Sequence, residues 1–177
     1  MTVNLLLAGC GKMGGAMLAG WLDKGFEANA ITVVEPNEDT ANDLRQRYGV
    51  ATVASPDDLD FNANPHVVII AVKPQVMDDV APAYARFAGP AVVYLSIAAG
   101  KTIGYFEKTL GDNAAIVRAM PNTPAAVGRG MTVGCPNRHV DETQRKACDE
   151  LLQAIGKTAW VEDEALMDAV TGVSGSG

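Results

Sequence analysis

Residues Leu5–Leu18 read LLLAGCGKMGGAML. An apolar run stops at Gly9 and a helical pattern starts at Lys12, with Gly9, Gly11 and Gly14 in the spacing G-x-G-x-x-G between them. Each glycine has a separate task in such a turn. Gly9 permits the tight bend, Gly11 lets the main chain approach a pyrophosphate, and Gly14 lets the helix pack close to the strand. The helix that follows points free N–H groups and the positive end of its dipole at the same place. By itself the pattern is weak, because a glycine-rich strand-to-helix turn without a ligand has the same letters.

The next strand strengthens the reading. ITVVE ends at Glu35, 21 residues beyond Gly14, where a carboxylate can take both hydroxyls of an adenosine ribose. The two features within one unit predict dinucleotide binding. Glu35, Glu38 and Asp39 cluster there, and no Lys or Arg follows until Arg45. A 2′-phosphate would meet like charges, so NADH is favoured over NADPH, with Arg45 and Lys12 the cations able to soften that preference.

Beyond this unit, short β-branched runs alternate with helical patterns, which predicts an α/β fold: a Rossmann-type, doubly wound, mostly parallel sheet. The strands are VNLLLA, ITVVE, VATV, HVVIIAV, AVVYLS, AAIVRAM, GMTVG and KTAWVE, with HVVIIAV central and GMTVG at or near an edge. One helix runs from Lys12 to Lys24 before a capping Gly25. A second starts from Asn37, turns Ala41, Leu44 and Tyr48 to one side and ends at Gly49. Ser55, Pro56, Asp57 and Asp58 announce another helix start. Pro82 should interrupt the helical stretch after Lys73 and Pro74. TIGYFEKTL is helical, Asp141 with Gln144 makes a capping box ahead of Ala147, Leu151 and Ile155, and Asp163 to Val170 forms a helical exit.

Composition narrows the function classes. A chain of 177 residues with 48% hydrophobic and 20% charged residues can bury a core without staples. The net charge of −7 argues against nucleic acid as a partner, since no basic stripe exists to neutralise phosphates. The three cysteines, Cys10, Cys135 and Cys148, show no C-x-x-C spacing, and His66 and His139 lie near no second ligand type, so no metal site is expected. Reduced thiols, the absence of a signal-peptide pattern and the absence of a membrane-spanning run predict a soluble cytoplasmic protein with no membrane partner.

Two further segments follow predicted strands, on the side where such a sheet binds ligands. AVKPQ (Ala71 to Gln75) carries Lys73, which either contacts phosphate or substrate carboxylate or is an ordinary surface lysine. SIAAG (Ser96 to Gly100) is small enough at Ala98, Ala99 and Gly100 for a nicotinamide to approach the backbone, or is simply a turn.

AGCGKMG, AVKPQ, SIAAG, RAMPNTPAAVGRGMT and DAVTGVSGSG, in this order, closely resemble pyrroline-5-carboxylate reductase. The resemblance implies reduction of the cyclic imine of 1-pyrroline-5-carboxylate to L-proline with NAD(P)H. It implies coenzyme contacts from Gly9, Cys10, Gly11, Lys12 and Met13 beside Gly14, from Glu35 and Pro36, from Ala71, Val72, Lys73 and Pro74, and from Ile97, Ala98 and Ala99. Ser55 matches a position near the adenosine end, Asn122 and Thr123 a loop lining the nicotinamide pocket, and Glu164 an acidic position near the ligands. Residues 1–160 are then the coenzyme-binding Rossmann domain. Residues 161–177 are then a junction and the truncated start of the family's helical dimerisation domain, the rest of that domain being absent. The hydroxyl that the family aims at the imine nitrogen would follow residue 177, so no catalytic residue is assigned. A homo-oligomer is expected of the full-length family and is open for this chain. Two other readings stand beside this one: a related dehydrogenase of another small acid, and a catalytically inactive nucleotide-binding module.

Overall fold

The computed structural model describes residues 3–60, 63–122, 124 and 128–174. Its strands are β1 (Leu5–Ala8), β2 (Ile31–Val34), β3 (Ala51–Val53), β4 (Val67–Ile70), β5 (Val93–Ser96), β6 (Ala115–Met120), β7 (Gly130–Pro136) and β8 (Gly156–Trp160). The helices are α1 (Lys12–Asp23), α2 (Glu38–Tyr48), α3 (Met77–Val80), α4 (Ile103–Leu110), α5 (Glu142–Gln153) and α6 (Leu166–Ser174). One sheet holds the strands in the order β3-β2-β1-β4-β5-β6-β7-β8. Neighbours are parallel throughout except β6 and β7, which run antiparallel. The order reverses between β1 and β4, so the doubly wound α/β fold predicted above is present, and the crevice of such a sheet opens at that reversal.

Alternation along each strand divides the core into two layers. Leu5, Leu7, Ile31, Val33, Val67, Ile69, Leu95 and Val117 bury one face beneath Met17, Leu18 and Trp21 of α1, Leu44 of α2 and Cys148, Leu151 and Leu152 of α5. Leu6, Ala8, Val68, Ile70, Tyr94 and Ile116 bury the other beneath Met77, Tyr84, the α4 residues Ile103, Phe106 and Leu110, and Met167 of α6. Strands covered on both faces read as near-continuous apolar runs: β1, β4 and β5 are buried along their whole length, β1 and β4 apolar throughout and β5 closing on the polar Ser96.

Local chemistry fixes the starts of α2, α4 and α5. Asn37 Oδ1 accepts the Thr40 N–H, Thr102 Oγ1 accepts that of Tyr105, and Asp141 and Gln144 form the reciprocal capping box that their spacing predicts. The stretch around Pro82 is a short α3 flanked by 3₁₀ turns at Pro74–Val76 and Ala81–Phe87, as a proline inside a helical pattern requires.

Two expectations are corrected. The start announced by Ser55 caps only one 3₁₀ turn, Pro56–Asp58, although its capping box is complete. Leu59 then turns extended and buries its side chain in the second core layer, which ends the turn before a helix can propagate. The helical exit begins at Leu166 rather than Asp163, because Asp163 Oδ1 accepts the Ala165 N–H and forms a side-chain turn ahead of the helix. Gly175 to Gly177 lie outside the described residues.

Candidate functional site

The carboxyl ends of β1 to β6 gather the predicted site residues along one edge of the sheet. Gly9 to Gly11 follow β1, Glu35 and Pro36 follow β2, and Ser55 follows β3. Ala71 to Pro74 follow β4, Ile97 to Ala99 follow β5 and Asn122 follows β6. Both histidines lie at the opposite edge: His66 Nδ1 accepts the Asn4 N–H at 3.0 Å, and His139 follows the far end of β7. A concavity lined by His66, Arg86 and Phe87 also sits there, but Arg86 is committed to the Pro56 carbonyl and the Phe87 ring, which leaves no convergent charge.

The first turn is tight. Gly9 has φ +83°, a conformation costly for any residue with a β-carbon, and its N–H donates to the Val34 carbonyl at 3.0 Å. A β-carbon on Gly14 would stand 2.7 Å from the Gly9 carbonyl oxygen. One on Gly11 would meet no atom within 4 Å, so no intramolecular packing demands glycine there and the main chain is left bare. Helix α1 starts from Gly11 with no side-chain cap and no acid in its first turn, whereas α2, α4 and α5 are all capped. An uncapped amino terminus at the mouth of a crevice is the arrangement that fits a pyrophosphate.

Glu35 stands over this mouth. Its Oε2 accepts the Cys10 N–H at 3.2 Å and its Oε1 that of Asn37 at 3.0 Å, which orients the carboxylate while leaving lone pairs for two hydroxyls. Arg45 is engaged elsewhere, its guanidinium donating to Thr52 Oγ1 and Asn42 Oδ1. Ser55 is also engaged, since its hydroxyl accepts the Asp57 N–H. The Cys10 thiol is pushed up to about 11 by burial and then by Glu35, so it is protonated at neutral pH and no nucleophile.

The loops after β4 and β5 form the next wall. Val72 Cγ1 and the Ala71 carbonyl pack directly on Gly9, and Lys73 is exposed. Ser96 Oγ accepts the Ala98 N–H at 3.3 Å, which buries Ala98 and leaves Ala99 outside. Asn122 Oδ1 accepts the Met131 N–H at 2.8 Å across the base of its loop, and Thr123 lies outside the described residues. Glu164 Oε1 accepts from both Ile103 N–H and Arg118 Nη1, each at 2.8 Å, so that oxygen is held against the start of α4.

The family described as NADP oxidoreductase coenzyme F420-dependent matches residues 4–100, more than half of the chain, from β1 through the loop after β5. The chain belongs to this family. The matched stretch holds the bare turn, Glu35 and both wall loops. A pyrroline-5-carboxylate reductase of Synechocystis is 40% identical over 178 residues, covering 100% of this chain and 65% of that protein. The solved structure of a pyrroline-5-carboxylate reductase from Coxiella burnetii superposes with a TM-score of 0.93 at 31% identity, over 100% of this chain and 65% of that one. The Plasmodium falciparum pyrroline carboxylate reductase, solved with NADP bound, superposes with a TM-score of 0.83 at 25% identity, over 99% of this chain and 63% of that one. The resemblance carried by the motifs is therefore borne out, and the chain spans just under two thirds of the length of these relatives.

Two contacts beside this edge escape a reading of the sequence. Lys101 pairs with Asp78 at 2.6 Å and lies 4.1 Å from the Tyr105 ring centroid, pinning the loop after β5 to α3. The hydrogen bond to Lys101 lowers the Asp78 carboxyl and, reciprocally, raises the Lys101 ammonium. Arg118 is the second: its only visible signal is a charge inside the apolar run AAIVRAM. Among the described residues no cluster of potential metal ligands occurs, and no helix is long and apolar enough to cross a membrane.

Proposed function

We propose that this chain is the coenzyme-binding part of a pyrroline-5-carboxylate reductase, holding a nicotinamide dinucleotide along the carboxyl edge between β1 and β5. The relatives' names support the activity, and the carrying observation is the Glu35 carboxylate placed 3.2 Å from the Cys10 N–H over an uncapped helix start. In this reading Gly11, Lys12, Met13 and Gly14 present main-chain donors to the pyrophosphate. Glu35 and Pro36 border the adenosine ribose with Ser55 further out, and Val72 to Pro74, Ile97 to Ala99 and Asn122 border the nicotinamide half. When bound, the reduced ring supplies a hydride to the C=N carbon of the cyclic imine, whose nitrogen carries the proton. A protonated imine is already electrophilic, so the protein's own contribution is chiefly orientation.

NADH is the preferred coenzyme. Glu35, Glu38 and Asp39 would face a 2′-phosphate with like charge, and the first cation to follow them in the chain, Arg45, is bonded to Thr52 and Asn42. The family description and the Plasmodium relative name NADP, so the two coenzymes must be compared directly. Residues 1–160 form the coenzyme domain, β8 ending at Trp160, and 161–177 lead into the remainder that the longer relatives carry. The complete protein is a cytoplasmic homo-oligomer acting on an imino acid. Its three free thiols suit a reducing compartment.

Calorimetric titration with NADH and NADPH tests the binding claim. Proline formation from pyrroline-5-carboxylate tests the activity, expected to be absent or very weak in this chain and restored when a relative's helical portion is appended. Restored turnover of a hydroxy acid instead of the imine would assign the reaction to another dehydrogenase.

A further inference from the structure

We infer that Arg118 is a positioning residue for the coenzyme loop Ile97–Ala99 and acts through Glu164. This rests on the coenzyme reading above. Arg118 is 4% exposed, in the middle of β6 between the buried Val117 and Ala119. A charge in such a place is costly unless it is paired and hydrogen-bonded. Its Nη1 donates to Glu164 Oε1 at 2.8 Å, and its Nη2 lies 3.9 Å from Asp168 Oδ1.

The receiving oxygen has a second duty. Glu164 Oε1 also accepts the N–H of Ile103, the first residue of α4, while Thr102 accepts that of Tyr105. The register partner of Arg118 on β5 is Ser96, whose hydroxyl holds the Ala98 N–H. The loop between Ser96 and Ile103 is thus fastened at its front by β5 and at its rear by a carboxylate. That carboxylate, with its side chain 29% exposed, is free to swing into water unless the buried guanidinium holds it. One ion pair joins β6, the start of α4 and the turn before α6, and so couples the junction to the wall that borders the nicotinamide half.

A plain structural tie would weaken every ligand alike. Positioning has a narrower signature, because the adenosine end lies on the other side of the β1/β4 reversal, at Glu35. ADP-ribose carries that end without the nicotinamide, so the test titrates NADH and ADP-ribose against the unaltered chain, Arg118→Met, Arg118→Lys and Glu164→Ala. Amide exchange is followed across residues 97–106 in the ligand-free proteins.

Arg118→Met and Glu164→Ala are expected to lose about tenfold in NADH affinity, the order of one charge-assisted contact, while ADP-ribose affinity stays within about twofold. The Ile103 amide should exchange faster in both. Arg118→Lys, which keeps one cationic donor, should recover part of the NADH affinity. Equal losses for the two ligands, or unchanged NADH affinity, would overturn the inference. If Arg118→Met does not fold, Glu164→Ala decides by the same readouts. Failure of the unaltered chain to bind either ligand would overturn the coenzyme reading. Unchanged Ile103 protection in the variants would instead overturn the Arg118–Glu164 hold on its own.

Discussion

Gly14 of α1 and Gly9 of the first turn approach so closely that a β-carbon on the former would stand 2.7 Å from the carbonyl oxygen of the latter. The obstacle is main chain, so it cannot rotate away. Gly14→Ala must push α1 off the turn, at a cost of about 1–3 kcal/mol. A lowered denaturant midpoint and weakened NADH binding together are the expected outcome, and an unshifted midpoint would show that the contact is not maintained in solution.

Gly11 makes the complementary case. A β-carbon there meets nothing within 4 Å, and its backbone, φ −70° and ψ −163°, is open to alanine. Gly11→Ala is expected to keep its stability within about 1 kcal/mol. It should nonetheless lose dinucleotide affinity, because the added methyl occupies the approach to the bare main chain. Unimpaired NADH affinity in this variant would move the pyrophosphate elsewhere.

Trp21 is fully buried, and its indole N–H donates at 3.0 Å to the Leu151 carbonyl, one of the last carbonyls of α5, the kind that a helix end leaves in need of a partner. Trp21→Phe leaves that carbonyl buried and unsatisfied and opens a small cavity. A loss of about 1–3 kcal/mol is expected from chemical denaturation. Trp21 sits in the last turn of α1, at the end opposite the glycine turn, so NADH affinity should be little changed.

The Cys10 thiol supplies a pH prediction. Its value rises from 9.0 in the unfolded chain to about 11 in the fold. Between these values the folded state binds more protons than the unfolded one, so stability is full below pH 9 and declines as pH rises toward 11. Two units set an upper limit of about 3 kcal/mol on that decline. Cys10→Ser should flatten it, since a serine hydroxyl does not titrate there. A decline of the same depth in Cys10→Ser would assign the effect to other groups.

Much of this architecture is legible in the letters. The strand–turn–helix at Leu5–Leu18 and the interval to Glu35 rely on local chemistry, and local chemistry placed Glu35 over the turn as expected. Direction is less legible: GMTVG reads as a strand, but nothing in a period of two says that β7 runs against β6. The 3₁₀ turn after Ser55 carries every local signal of a helix and is cut short by burial of Leu59, a tertiary event. Arg118 and Glu164 stand 46 residues apart, and only the folded chain shows that one oxygen serves both Arg118 and Ile103. Pair interactions of that separation leave no periodic trace.

In the proposed function Glu35 is the group that receives the adenosine ribose. Paired calorimetric titrations of the unaltered chain and Glu35→Ser with NADH and NADPH test it most directly. Tighter binding of NADH than of NADPH is expected of the unaltered chain, and for Glu35→Ser a loss of about tenfold or more in NADH affinity with a gain in relative affinity for NADPH. Equal affinities for the two coenzymes in both proteins, or no heat with either, would contradict it.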